Sequence, residues 1–231
     1  MTGMSKTWMS AVLLAALVAG CQESGKNDAG AVGIVNSEQR KAELLRQIQR
    51  KYESPRAHYE LARIYHTDGM WLKAETEYRT AVGFDPMLWD AEAGLVKMFM
   101  DSGNEAKSRS VAENAIDRAK FSADMSLQSA KAFQKEYLDE YALRCHNQAL
   151  ALAPNSAAVY KHIGYYYLSK HDIGRAEANL RQSFQLDPYQ PEVAGELGRM
   201  GIIVEVPGVN VKPDVESTIP PDAANSDGSE K

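Results

Sequence analysis

Cysteine is scarce in this chain: Cys21 and Cys145 are the only two in 231 residues. The protein therefore has no disulfide framework and holds itself together through a packed core. Long apolar runs are missing as well. The run from Ala11 to Ala19 lies inside an uncharged stretch, Thr7 to Gly20, and is far short of the roughly 20 residues a spanning helix needs. Neither sign of charge dominates: 26 Lys and Arg against 31 Asp and Glu leave a net charge of −5. That balance gives no electrostatic basis for binding nucleic acid across the surface. With 44% apolar and 25% charged residues, the composition is globular and excludes both global disorder and a multispanning membrane protein.

Catalytic signatures are also lacking. There is no Gly-rich phosphate loop, no His-Glu-x-x-His helix, no paired-cysteine metal site and no nucleophile elbow. The five histidines are scattered. Carboxylate pairs such as Glu75 with Glu77, or Asp139 with Glu140, occupy helical positions suited to a solvated face. No enzyme activity, cofactor, metal or small-molecule substrate is expected; the function should lie in a surface.

What is present begins at the N-terminus. Lys6 precedes the uncharged stretch in the layout of a signal peptide, residues 1–20. Leu17, Val18, Ala19, Gly20 and Cys21 resemble the lipobox of bacterial lipoproteins. The resemblance implies cleavage before Cys21, a diacylglyceryl group on its thiol and usually an acyl chain on its amine. At about 0.8 kcal/mol per buried CH₂, two or three chains suffice as a membrane anchor. Gln22, where an Asp would retain many such proteins in the inner membrane, implies the inner leaflet of the outer membrane, facing the periplasm. Cys145 is then left as a semi-buried thiol on a helix. Residues 21–36 hold the lipidated cysteine and a Gly-rich stretch read as a flexible tether, reaching about 20 Å on average and about 50 Å at most.

Beyond the tether the sequence is periodic. Blocks beginning at Pro55, Trp89, Ala123 and Ala157 each span 34 residues without insertion: 55–88, 89–122, 123–156 and 157–190. Leu61, Leu95, Ser129 and Ile163 share the seventh position, and Ala62, Val96, Ala130 and Gly164 the eighth. The eleventh holds Tyr65, Phe99, Phe133 and Tyr167; the twentieth holds Ala74, Ser108, Ala142 and Ala176; the twenty-seventh holds Ala81, Ala115, Ala149 and Ser183. Small residues at three of these positions let helix backbones approach, while the aromatic fills the gap between units.

Residues 55–190 resemble the tetratricopeptide repeat family, most clearly in the fourth block through Tyr160, Gly164, Tyr167, Ala176, Leu180 and Pro188. Block two departs at Ser108 and Lys120, and block three at Tyr137, where a turn glycine is common, and at His146. The resemblance implies an all-α, right-handed α-solenoid of four helix pairs. Leu44, Leu45, Ile48 and Tyr52 place an N-terminal capping helix within 37–54, and residues 191–204 supply a C-terminal capping helix and a short apolar segment. The acidic, Pro-containing tail, 205–231, is expected to be disordered.

In this family the inner groove is lined by the first helix of each pair. Here that implies a cationic ladder of Arg63, Lys97 and Lys131 ending in Tyr165, with Arg56, Tyr59, Lys135 and Lys161 nearby and Asp90, Asp101 and Asp124 tempering the charge. Its expected ligand is an acidic segment of a protein partner, and the acidic tail is itself a candidate occupant. Two roles fit: an envelope interaction scaffold or assembly factor, similar to the pilotin-like tetratricopeptide lipoproteins of pilus and secretion systems, or an accessory subunit of a cell-wall enzyme.

Overall fold

The computed structural model describes residues 28–207, with side chains from residue 36 onward. Cys21, the signal-like segment and residues 208–231 lie outside the described residues. Those described form ten α-helices and no strand. A long helix, α1 (Asp28–Arg50), precedes four pairs: α2 (Pro55–Thr67) with α3 (Trp71–Phe84), α4 (Trp89–Asp101) with α5 (Glu105–Ala119), α6 (Ala123–Lys135) with α7 (Asp139–Leu152), and α8 (Ala157–Ser169) with α9 (Ile173–Leu186). A last helix, α10 (Pro191–Arg199), follows. Each helix packs on its pair mate, and α2, α4, α6 and α8 also touch in succession, so the pairs stack side by side as an α-solenoid.

The first helix of every pair is 13 residues long and ends in the same left-handed turn. Gly69 donates to the His66 carbonyl at 3.0 Å and Met70 to that of Tyr65 at 2.8 Å; the same two bonds recur at Gly103 and Asn104, Tyr137 and Leu138, and His171 and Asp172. The residue in the turn has φ of 70° at Gly69 and 77° at Gly103, but also 58° at Tyr137 and 59° at His171, where a side chain makes that conformation costly. The next helix is started by Asn104 and Asp172, whose side chains accept from the amides of Lys107 and Arg175; Ser122 and Ser156 cap α6 and α8 in the same way.

Every residue at the seventh, eighth, twentieth and twenty-seventh positions of the four blocks is buried. Two of the three serines at these core positions donate to backbone carbonyls, Ser108 to that of Val96 at 3.1 Å and Ser183 to that of Ala157 at 2.8 Å. The closest approaches occur at glycine. A Cβ on Gly164 would lie 2.6 Å from Cδ2 of Leu180, and one on Gly94 would lie 2.7 Å from the Tyr78 ring.

Three features differ from the sequence reading. Helix α1 starts at Asp28, so residues 28–36 are helical rather than tether; the strong helix formers from Glu38 onward propagate backward. At the other end α10 stops at Arg199, nine residues long, as the capping helix was expected to; the difference is that Val206, within the tail expected to be disordered, packs on the terminal cluster. The helix ends in its own left-handed turn at Gly201 (φ 82°), and Ile202, Val204 and Val206 then pack on Leu180, Phe184, Val193 and Leu197. Alternate residues of this non-helical stretch point inward and cover the face of α10 that a further helix would otherwise take, while Ile203 is 97% exposed. Finally, Cys145 is fully buried rather than semi-buried; its Sγ donates to Ser129 Oγ at 3.5 Å.

His58 joins α1 to the first pair. It is buried, with Nδ1 2.6 Å from Glu77 Oε2 and Nε2 2.8 Å from the Tyr52 carbonyl, so both ring nitrogens face acceptors.

Candidate protein-binding face

Arg56, Tyr59 and Arg63 stand on α2, Lys97 on α4, Lys131 and Lys135 on α6, and Lys161 and Tyr165 on α8. All eight lie on first helices of the pairs, which run side by side. Polar contacts from each of these helices to the next stitch the face together. His66 donates from Nε2 to Asp101 Oδ2 at 3.0 Å, Gln134 donates to Ser169 Oγ at 3.0 Å, and Lys161 donates to Glu192 Oε1 of α10 at 2.9 Å. Lys135 reaches back to Asp90 on α4, at 2.9 and 3.0 Å from its two oxygens. His66–Asp101 and Gln134–Ser169 use the same two repeat positions, twelve in one unit and thirteen in the next.

These contacts break the cationic ladder. Lys97 is bonded to Asp101 one turn along its own helix, and Lys135 and Lys161 are paired with Asp90 and Glu192. Among the described residues Arg56, Arg63 and Lys131 have no ion-pair partner, and neither do the carboxylates Asp124 and Glu136. The face is mixed in charge, with its open cations separated rather than in a row. The guanidinium of Arg63 lies over the Tyr59 ring, 5.9 Å from its centroid, a contact that orients it without neutralising it.

The titratable groups reflect this arrangement. Burial opposes ionisation of Asp101, but hydrogen bonds from Lys97 and His66 outweigh it and hold the carboxyl below its ordinary value. Glu192 is lowered chiefly by its bond from Lys161. Burial and then the charge of Lys131 lower His162. His146 is lowered to about 4 by burial, with His162 and Lys131 adding to it; its two ring nitrogens are buried without hydrogen-bond partners.

Two clefts flank Arg63. One lies against α1 and is lined by Ser37, Arg40, Glu60, Arg63, Ile64 and Thr67. The other, about 410 Å³, brings Arg63, His66, Trp71, Lys97, Asp101, Glu136 and Tyr137 together. Trp71, Glu136 and Tyr137 were not singled out from the sequence as groove residues, because none lies on a first helix: Trp71 opens α3, and Glu136 and Tyr137 sit in the turn after α6. The available signal was Tyr137 itself, standing where two other blocks have glycine. Among the described residues there is no group of three His, Cys, Asp or Glu able to hold a metal ion, and no helix is long and apolar enough to cross a membrane.

No family model matches this chain, and no curated protein matches it. Solved structures similar to it include YrrB, described as a TPR protein with an unusual peptide-binding site, at 16% identity over 74% of this chain and 89% of that one, with a TM-score of 0.37. MamA from Desulfovibrio magneticus RS-1 is similar at 15% identity over 70% and 92% of the two chains, with a TM-score of 0.35. PilF of Pseudomonas aeruginosa is similar at 21% identity over 64% and 69%, with a TM-score of 0.34.

Proposed function

We propose that this chain is a lipid-anchored periplasmic protein of the bacterial envelope that holds a protein partner on its inner face, serving as a scaffold or assembly factor of the pilotin-like kind in secretion or pilus biogenesis. The observation that carries the reading is the division of labour among the inner-face cations. Lys97, Lys135 and Lys161 are engaged within the solenoid, while Arg56, Arg63 and Lys131 have no ion-pair partner among the described residues, and Arg63 lies beside Tyr59 and Tyr137. Open cations next to aromatic surface suit a segment that carries carboxylates and apolar side chains. The anchor is Cys21, through its lipobox-like setting, and the inner leaflet of the outer membrane is the proposed location.

Two measurements test this. Cells fed a fatty-acid analogue should label the wild-type chain and not Cys21→Ser; an unlabelled wild type refutes the anchor. Crosslinking in cells should yield a partner complex that is lost in the combined Arg56→Glu, Arg63→Glu, Lys131→Glu variant and weakened by salt. Equal recovery from a folded variant refutes the face.

A further inference from the structure

The turn at Tyr137 spends stability without a packing return. Its φ is 58°, in the region where a side chain is costly relative to glycine, yet the ring is 81% exposed. Gly69 and Gly103 make the same turn in the first two units at no such cost. His171 keeps the same conformation with an exposed side chain, so what distinguishes Tyr137 is its surroundings. Tyr137 lies in the cleft that also contains Trp71 and the open cation Arg63. Two carboxylates also line it: Asp101, engaged by Lys97 and His66, and Glu136, which has no ion-pair partner among the described residues. Two aromatic side chains beside a free guanidinium suit a proline-rich segment followed by a carboxylate, because a polyproline II ligand arrives already extended and stacks its rings on aromatic walls.

The chain carries such a segment outside the described residues. Ile219, Pro220, Pro221 and Asp222 lie in a stretch, 208–231, with five carboxylates against two lysines. Pro220 is thirteen steps along the chain from Pro207, enough to reach about 40 Å at ~3.1 Å a step. Four helix-to-helix steps from α10 to α2, at ~8–10 Å apiece, come to at most about 40 Å. We propose that this cleft takes the chain's own Ile219–Asp222 segment, with Pro220 and Pro221 against Trp71 and Tyr137 and Asp222 on Arg63, so that the tail occupies the partner-binding face in cis. The proposal rests on the inner face being the binding surface, and it makes the tail a competitor of the partner.

The test uses the full chain in detergent, with the photocrosslinker benzoylphenylalanine replacing Tyr137 and, independently, Trp71. Mass spectrometry of a mixture of ¹⁵N-labelled and unlabelled chains separates crosslinks within a chain from those between chains. The expected product joins position 137 to residues 217–224 of the same chain. Its yield should fall about fivefold at low salt in Asp222→Lys, the upper end for one exposed ion pair, and recover when Arg63→Glu is added to restore opposite charges. Tyr137→Gly should raise the melting temperature, showing that the turn tolerates change. Absence of tail crosslinks from both probe positions overturns the proposal. So do crosslinks only between chains, or a yield indifferent to Asp222→Lys. Those results leave the scaffold reading standing if the Arg56, Arg63 and Lys131 variant still loses its partner; if that variant keeps the partner, the scaffold reading fails separately.

Discussion

Lys135 reaches from α6 to α4 and sets its Nζ 2.9 Å from Oδ1 of Asp90, turning a cation that the sequence offers to a ligand into a tie between two helices. The pair is exposed, with 65% and 34% of the two side chains accessible, so its coupling should lie near 0.2–1 kcal/mol. A double-mutant cycle of Lys135→Ala and Asp90→Ala in urea should return a coupling in about that range, shrinking at high salt. A coupling of zero at low salt would show that Lys135 is free for a partner after all.

Gly164 faces Leu180 so closely that any side chain must displace it, since a Cβ would also lie 3.3 Å from the Leu180 backbone nitrogen. Gly164→Leu should destabilise by roughly 1–3 kcal/mol through overpacking. Leu180→Ala in the same chain should give back part of that loss. Chemical denaturation of the two single variants and the double variant measures this as non-additivity.

The buried ring of His146 makes stability depend on acid. Its folded value, about 4, is below the ordinary 6.5, so the unfolded chain binds the proton more tightly. The neutral ring's contribution is complete above pH 6.5 and is lost as pH falls from there towards 4, by up to about 3 kcal/mol. His146→Leu should flatten this slope in a series of urea titrations from pH 7 to 4, and should not lower stability at pH 5. An unchanged slope would assign the acid sensitivity to carboxylates.

His171 offers a turn outside the Arg63 cleft. With φ at 59° and an exposed side chain, His171→Gly should raise stability by about 1 kcal/mol, read as a higher urea midpoint at unchanged slope.

The stretch after α10 supplies a cap. Ending the chain after Pro207 should leave the melting temperature nearly unchanged, because Ile202, Val204 and Val206 remain on the terminal cluster. Ending it after Gly201 should lower the melting temperature and promote self-association, since Val193 and Leu197 lose their cover. Thermal melts with light scattering distinguish the two truncations.

The sequence by itself determined the helix pairs. Their phase is written in local chemistry: Pro55 and Pro191 start helices, Ser122 and Ser156 cap them, and small residues recur every 34 positions wherever two backbones must approach. A residue such as Ala74 or Ala149 is legible because each unit buries the same face in the same way. The sequence did not determine which inner-face cations are free. Lys97 and Arg63 occupy the same repeat position, yet one is held by Asp101 and the other lies over Tyr59. For Lys97 the difference is local, because Asp101 stands four residues on along the same helix where Arg63 has Thr67; for Lys135 and Lys161 it depends on the carboxylate that another helix presents, Asp90 or Glu192, which the stacking of helices sets. Glu136 and Tyr137 meet Arg63 only once the units are stacked, and Trp71 comes beside it through the packing of α3 on α2. The extent of α1 and the packing of Ile202, Val204 and Val206 were likewise tertiary decisions, because helix propagation and the covering of an apolar end depend on what the adjoining surface offers.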